Sequence, residues 1–222
     1  MVALVAIVAA VVLMTGNPEP TYNGRTLSDW ITDSPELPQG YDSKIIAEVR
    51  QREDVAAVLA MGTNALPWLV RWAGYESPHM PFSLQRKTPI LRNYFQRRAL
   101  LRTRAYQIFI PLGTDAAPAI PLIEQKLQEL PPSDAAQGLG RALACMGPAG
   151  ATALGDSVIN TNITLENRLF LIKMLWLRYK YPLEPEPNLD YIRVALTNCL
   201  ADPSPQIRRA VQVYFQPIPI SQ

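Results

Sequence analysis

Side chains that bind metals or attack carbonyls are scarce in this chain. There is one histidine, His79, and there are two cysteines, Cys145 and Cys199. His79 stands in Pro78-His79-Met80-Pro81, with no carboxylate or thiol close by in sequence, and reads as a loop residue. A nucleophilic triad or a zinc site needs more than this. Two cysteines make no disulfide framework and lack metal-ligand spacing; both sit in apolar runs and read as small core residues. No Gly-rich phosphate loop is present. Glu184 and Glu186 flank Pro185 and make no convincing acid–base pair. These absences predict a non-catalytic protein with no cofactor and no metal. An excess of one charge is also lacking. The net charge is +2 over 222 residues, with 18% charged, and it steers toward no partner class.

The apolar fraction of 48% is that of a chain able to bury a core. The 21 prolines fall mostly between apolar periodic runs, where helices start and loops turn. Val2 to Met14 is an unbroken apolar run. As a helix it spans about 20 Å, against roughly 30 Å of bilayer hydrocarbon. That is short for a full span but fits the apolar region of an export signal. No Lys or Arg precedes it, no small-x-small cleavage site follows it, and no lipid-bearing cysteine comes after it. Residues 1–16 are read as an export signal or uncleaved anchor, with a buried front helix as the alternative. Residues 17–25 are read as an extended linker. Asn162-Ile163-Thr164 fits a glycosylation acceptor, a pattern common by chance.

The most informative pattern is a repeat. Asp54 to Trp72 reads as a helix, a turn at Gly62, and a second helix opened by Pro67, with Asn64 as its N-cap. The preceding helix is expected to run unbroken from Asp42 to Met61. Gly62 is followed by Ala65, Pro67 and Leu69; Gly113 is followed by Ala116, Pro118 and Ile120 at the same offsets. Gly147 keeps the apolar frame but has Gly150 and Thr152 at the Ala and Pro positions. The glycines lie 51 and 34 residues apart, which brackets helical-hairpin repeats with an insertion at about 75–89. Leu165 to Tyr181 predicts a further helix, and a second follows from Leu189 to Leu200. Near the C-terminus, Asp202 is expected to cap a helix with Pro203 at its first position. Upstream, Thr26 with Asp29 resembles a capping box opening a short helix that covers the first hairpin. The fold class expected is all-α: an α-solenoid of stacked helical hairpins, about four to five repeats, over residues 26–222.

Asp202-Pro203-Ser204-Pro205-Gln206-Ile207-Arg208-Arg209-Ala210, with the Leu-Gly-x-x-Ala-x-Pro turn at Leu112 to Pro118, resembles the HEAT repeat family. The order Pro20 to Trp30 after an apolar run is similar to that of uncharacterised bacterial, membrane-anchored HEAT proteins. This resemblance implies an anchored α-solenoid of HEAT/armadillo type in the cell envelope, serving as a protein–protein interaction or scaffold module. It carries no known active site. Some HEAT-like families include enzymes, so fold alone leaves an enzyme on this scaffold as an alternative.

One charged region competes as a site. Residues 77–114 carry Arg86, Lys87, Arg92, Arg97, Arg98, Arg102 and Arg104 and no acid; the rest of the chain is net negative. An anionic lipid, a nucleic acid or an acidic protein face would be its partner. At about 100° per helical residue, however, these charges spread around the helix, favouring solvated positions and inter-helix ion pairs. Export makes nucleic acid the weaker partner, and a small-molecule substrate has no support. Trp68 and Trp72 share one helical face and read as packing, with a binding ridge alongside Arg71 as the alternative.

Overall fold

The computed structural model describes residues 18–36, 43–76, 89–181 and 190–215. The apolar run at 2–14, Arg86 and Lys87, His79, Glu184 and Glu186, and all but the ends of the 75–89 insertion lie outside the described residues.

The described chain is mostly helical. A two-stranded hairpin, β1 (Thr21–Tyr22) and β2 (Arg25–Thr26), comes first, followed directly by α1 (Leu27–Thr32). It replaces the second half of the expected linker. The cause is local: Asn23 and Gly24 take φ 50° and 74°, the left-handed pair that a two-residue hairpin turn demands. Thr26 accepts from the Asp29 amide, as expected of a cap, while its hydroxyl also donates to the Asp29 carboxylate at 2.7 Å. That hydrogen bond, more than any other effect, holds the Asp29 carboxyl below its ordinary pKa.

The expected helix over 42–61 is two helices, α2 (Ser43–Arg50) and α3 (Glu53–Met61). Arg52 breaks it, with extended backbone at ψ 149°. Its guanidinium grips Asp54 at 3.0 and 2.7 Å and the Pro35 carbonyl at 3.1 Å. A 3₁₀ turn (Gly62–Asn64) leads into α4 (Leu66–Ala73). Asn64 lies inside that turn and does not cap; Ala65 occupies the cap position, and Pro67 sits in the first turn of α4.

Then come α5 (Pro89–Leu112), a 3₁₀ segment (Gly113–Ala119), α6 (Ile120–Glu129), α7 (Asp134–Cys145), α8 (Gly147–Ile159), α9 (Leu165–Lys180), α10 (Asp190–Leu200) and α11 (Pro205–Phe215). Pro118 lies in the 3₁₀ segment, and Pro121 takes the early position in α6. Gly62, Gly113 and Gly147 adopt φ 61°, 56° and 65°. A side chain is strained in this region, so glycine closes each helix without that cost. Gly147 runs straight into α8 with Pro148 in its first turn, and no 3₁₀ link intervenes. The third sequence copy, which lacks the Ala and Pro at those offsets, has the shorter turn.

Neighbour relations alternate along the chain. α5 touches α7, α7 touches α9, and α9 touches α11; α4 touches α6, α6 touches α8, and α8 touches α10. Successive helices also meet, α4 with α5, α7 with α8, α8 with α9 and α10 with α11. One continuous core runs between these two sets, from Leu27 and Leu69 through Phe109, Ile123 and Leu143 to Leu154, Leu171 and Ile207. The close approach of α8 to α10 requires Gly155, where a Cβ would stand 2.4 Å from that of Ala195.

Asp202 does not cap α11. Ser204 occupies that place, its hydroxyl accepting from Ile207, and Pro205 rather than Pro203 opens the helix. Asp202 is 3% exposed and ion-paired with the equally buried Arg168 at the start of α9. Its second oxygen accepts the Ser204 amide at 2.8 Å, while Arg168 Nε donates to the Val158 carbonyl. This cluster ties α8, α9 and the turn before α11 together.

Candidate functional site

The arginines of α5 do not converge. Arg92 and Arg97 are exposed. Arg97 reaches Asp29 of α1 at 3.7 Å, and the mostly buried Arg102 reaches Asp134 of α7 at 3.6 Å. Arg98 lies over the rings of Tyr75 and Tyr94, 5.7 and 5.4 Å from their centroids. Arg104 donates weakly to Gln107 at 3.5 Å, and its Nε is buried without a hydrogen-bond partner among the described residues. The face of α5 between them is core: Leu101, Ala105, Ile108 and Phe109 are all buried. A helix of alternating core and charge cannot gather its cations on one side. Here they serve as separate ties from α5 to its neighbours.

A groove of about 690 Å³ opens elsewhere, between the start of the N-terminal hairpin and the turn into α4. Pro18, Pro20, Pro67, Trp68 and Arg71 line it. Trp72 is buried in the core, and Trp68 leans on it with ring centroids 5.7 Å apart, leaving Trp68 half-buried at the groove. The exposed Arg71 guanidinium lies 5.4 Å from the Trp68 ring centroid, and no acid pairs with it among the described residues. Glu19 also borders the groove, but its carboxylate is turned to the amide and hydroxyl of Ser28 at the start of α1. The four-residue spacing of the tryptophans marks a shared face. That one ring is core and the other a groove wall depends on the hairpin, whose signal was the Asn23-Gly24 pair.

A second groove, of about 280 Å³, lies between α1 and the start of α3. Both arginines that line it are engaged: Arg25 with Asp33 at 2.5 Å and with the Trp30 ring at 4.3 Å, and Arg52 with Asp54.

The cysteine thiols are buried, and burial pushes both up to about 12, so neither is a nucleophile at neutral pH. No group of three or more His, Cys, Asp or Glu that could hold a metal ion occurs among the described residues. No helix among them is long and apolar enough to cross a membrane. Compared with protein-family models, with curated proteins and with solved structures, the chain finds no match.

Proposed function

We propose that the chain is an α-solenoid of HEAT type, anchored to or exported through a membrane by residues 1–16, that acts as a non-catalytic protein–protein interaction or scaffold module. The observation that carries this reading is the alternation of neighbours, α5–α7–α9–α11 on one side and α4–α6–α8–α10 on the other. Stacked hairpins produce that alternation, and they expose a long surface whose residues come from many helices. The three left-handed glycines at successive turns are consistent with it. The partner surface is assigned to the α4–α6–α8–α10 side. There Leu122, Ile159 and Val194 are exposed apolar side chains. Burial, and secondarily the charge of Asp156, raises the pKa of Glu124 on the same side. Apolar contact flanked by carboxylates fits a protein partner with basic residues at its rim.

Binding of an anionic partner through residues 86–104 is the weaker reading, because the described arginines there are spread over separate contacts. For an enzyme on this scaffold, no supporting constellation stands among the described residues.

Photo-crosslinking in the cell that makes the chain tests the proposal. With benzoylphenylalanine at Leu122, Ile159 or Val194 in turn, one common partner band should appear from at least two of the three helices. The absence of any band from all three positions rejects this surface as an interaction face.

A further inference from the structure

We infer that the groove between Pro18 and Arg71 is the membrane-facing side of the domain and holds the phosphate of a phospholipid headgroup. The inference rests on the anchored reading of residues 1–16 and adds to it which face meets the lipid.

The first observation is where the chain enters the fold. The apolar run ends at Met14 and Pro18 already lines the groove, leaving only Thr15, Gly16 and Asn17 between them. Fully extended, that stretch reaches at most about 14 Å. A run inserted in the bilayer therefore keeps this groove within reach of the headgroups. The second observation is the chemistry waiting there. Trp68 presents an amphipathic ring held rigid by Trp72, the side chain that prefers the membrane–water interface. Arg71 places a guanidinium beside that ring, pairs with no acid among the described residues, and suits a phosphate oxygen. Glu19 would repel an anion, but its oxygens are turned away to Ser28. Pro18, Pro20 and Pro67 supply apolar wall without adding backbone N–H donors.

The test uses the full chain in vesicles of phosphatidylcholine and phosphatidylglycerol containing a gadolinium-chelating lipid. Because Cys145 and Cys199 are buried with thiols pushed up to about 12, a single introduced cysteine takes a nitroxide selectively. Asn64→Cys reports on the groove, and Gln212→Cys, an exposed position of α11, which contacts α9 and α10, reports on the opposite end of the helix series. Relaxation of the nitroxide should be severalfold stronger at position 64 than at 212. Arg71→Gln, an exposed change that leaves the helical circular dichroism intact, should remove the part of the relaxation at 64 that depends on phosphatidylglycerol. Equal relaxation at both positions, or stronger relaxation at 212, in a chain that sediments with the vesicles overturns the inference while leaving the anchor standing. A chain that stays in the supernatant overturns the anchor and the inference together. Loss of the Arg71-dependent part on adding millimolar inorganic phosphate, with the Asn64–Gln212 contrast gone, assigns the groove to the free ion and overturns the lipid source.

Discussion

Arg168 and Arg97 carry the same guanidinium and are put to different uses. Arg168 lies buried between α8, α9 and the turn before α11, where Asp202 pairs with its charge and the Val158 carbonyl accepts a hydrogen bond from its Nε. Arg97 projects from α5 with 61% of its side chain exposed and meets Asp29 at 3.7 Å. Water screens the second pair and leaves it little net effect; it cannot reach the first. A buried pair is not by that fact a large net stabiliser, since desolvating both ions offsets much of their attraction. What burial does is make each partner indispensable to the other. A count of arginines along the sequence points to α5, yet the arginine held in this buried ion pair lies in a helix whose sequence stands out for its leucines.

That contrast can be broken from the buried end first. Arg168→Met leaves Asp202 charged and dry, so urea unfolding should show a loss of about 3–5 kcal/mol. Adding Asp202→Leu to it should recover a large share, because an apolar pair needs no solvation.

Next is the contrast between two glycine turns. A Cβ on Gly147 would meet the Thr114 methyl at 2.7 Å, whereas nothing lies within 4 Å of one on Gly62. Gly147→Ala should therefore cost roughly 2–4 kcal/mol, backbone strain plus overpacking. Gly62→Ala, at φ 61° and ψ −144°, should cost about 1–3 kcal/mol, strain alone. Thr114→Ser, which removes the clashing methyl, should narrow the gap between the two; an unchanged gap would refute the steric cause. At the exposed end, Arg97→Ala should leave the urea midpoint unmoved within error. A clear loss there would mean that the α5–α1 tie is structural after all.

The cysteines extend the same comparison to reactivity. In the native protein at pH 8 both thiols should react with Ellman's reagent far more slowly than in urea, since burial holds them protonated well above that pH. Fast native labelling of either would show that its helix opens readily.

Local signals were readable where a residue acts through its own backbone. The glycines at 62, 113 and 147, the proline at 67 and the threonine at 26 stand in turns or caps as their chemistry requires. The hairpin was missed, its residues being read as linker: Asn23-Gly24 is its only signal, and flanking strands of two residues give no period to detect. The helix break at Arg52 was not readable. It is held by contacts to Asp54 and to the Pro35 carbonyl, which lies across an intervening segment. Asp202 misled for a related reason. Asp before Pro suits a cap, and Ser204 before Pro205 suits it as well; Arg168, arriving from another helix, claims the aspartate.

By itself, then, the sequence determined that the described chain is helical, where its glycine turns fall, and which faces are apolar. All of these follow from backbone conformation and periodic burial within a dozen residues. The tertiary structure alone decided which charges are buried, which tryptophan is core and which lines the groove, and how the helices alternate as neighbours. Each of these depends on segments far apart in the chain meeting at a few ångströms, where the dielectric falls and space runs out.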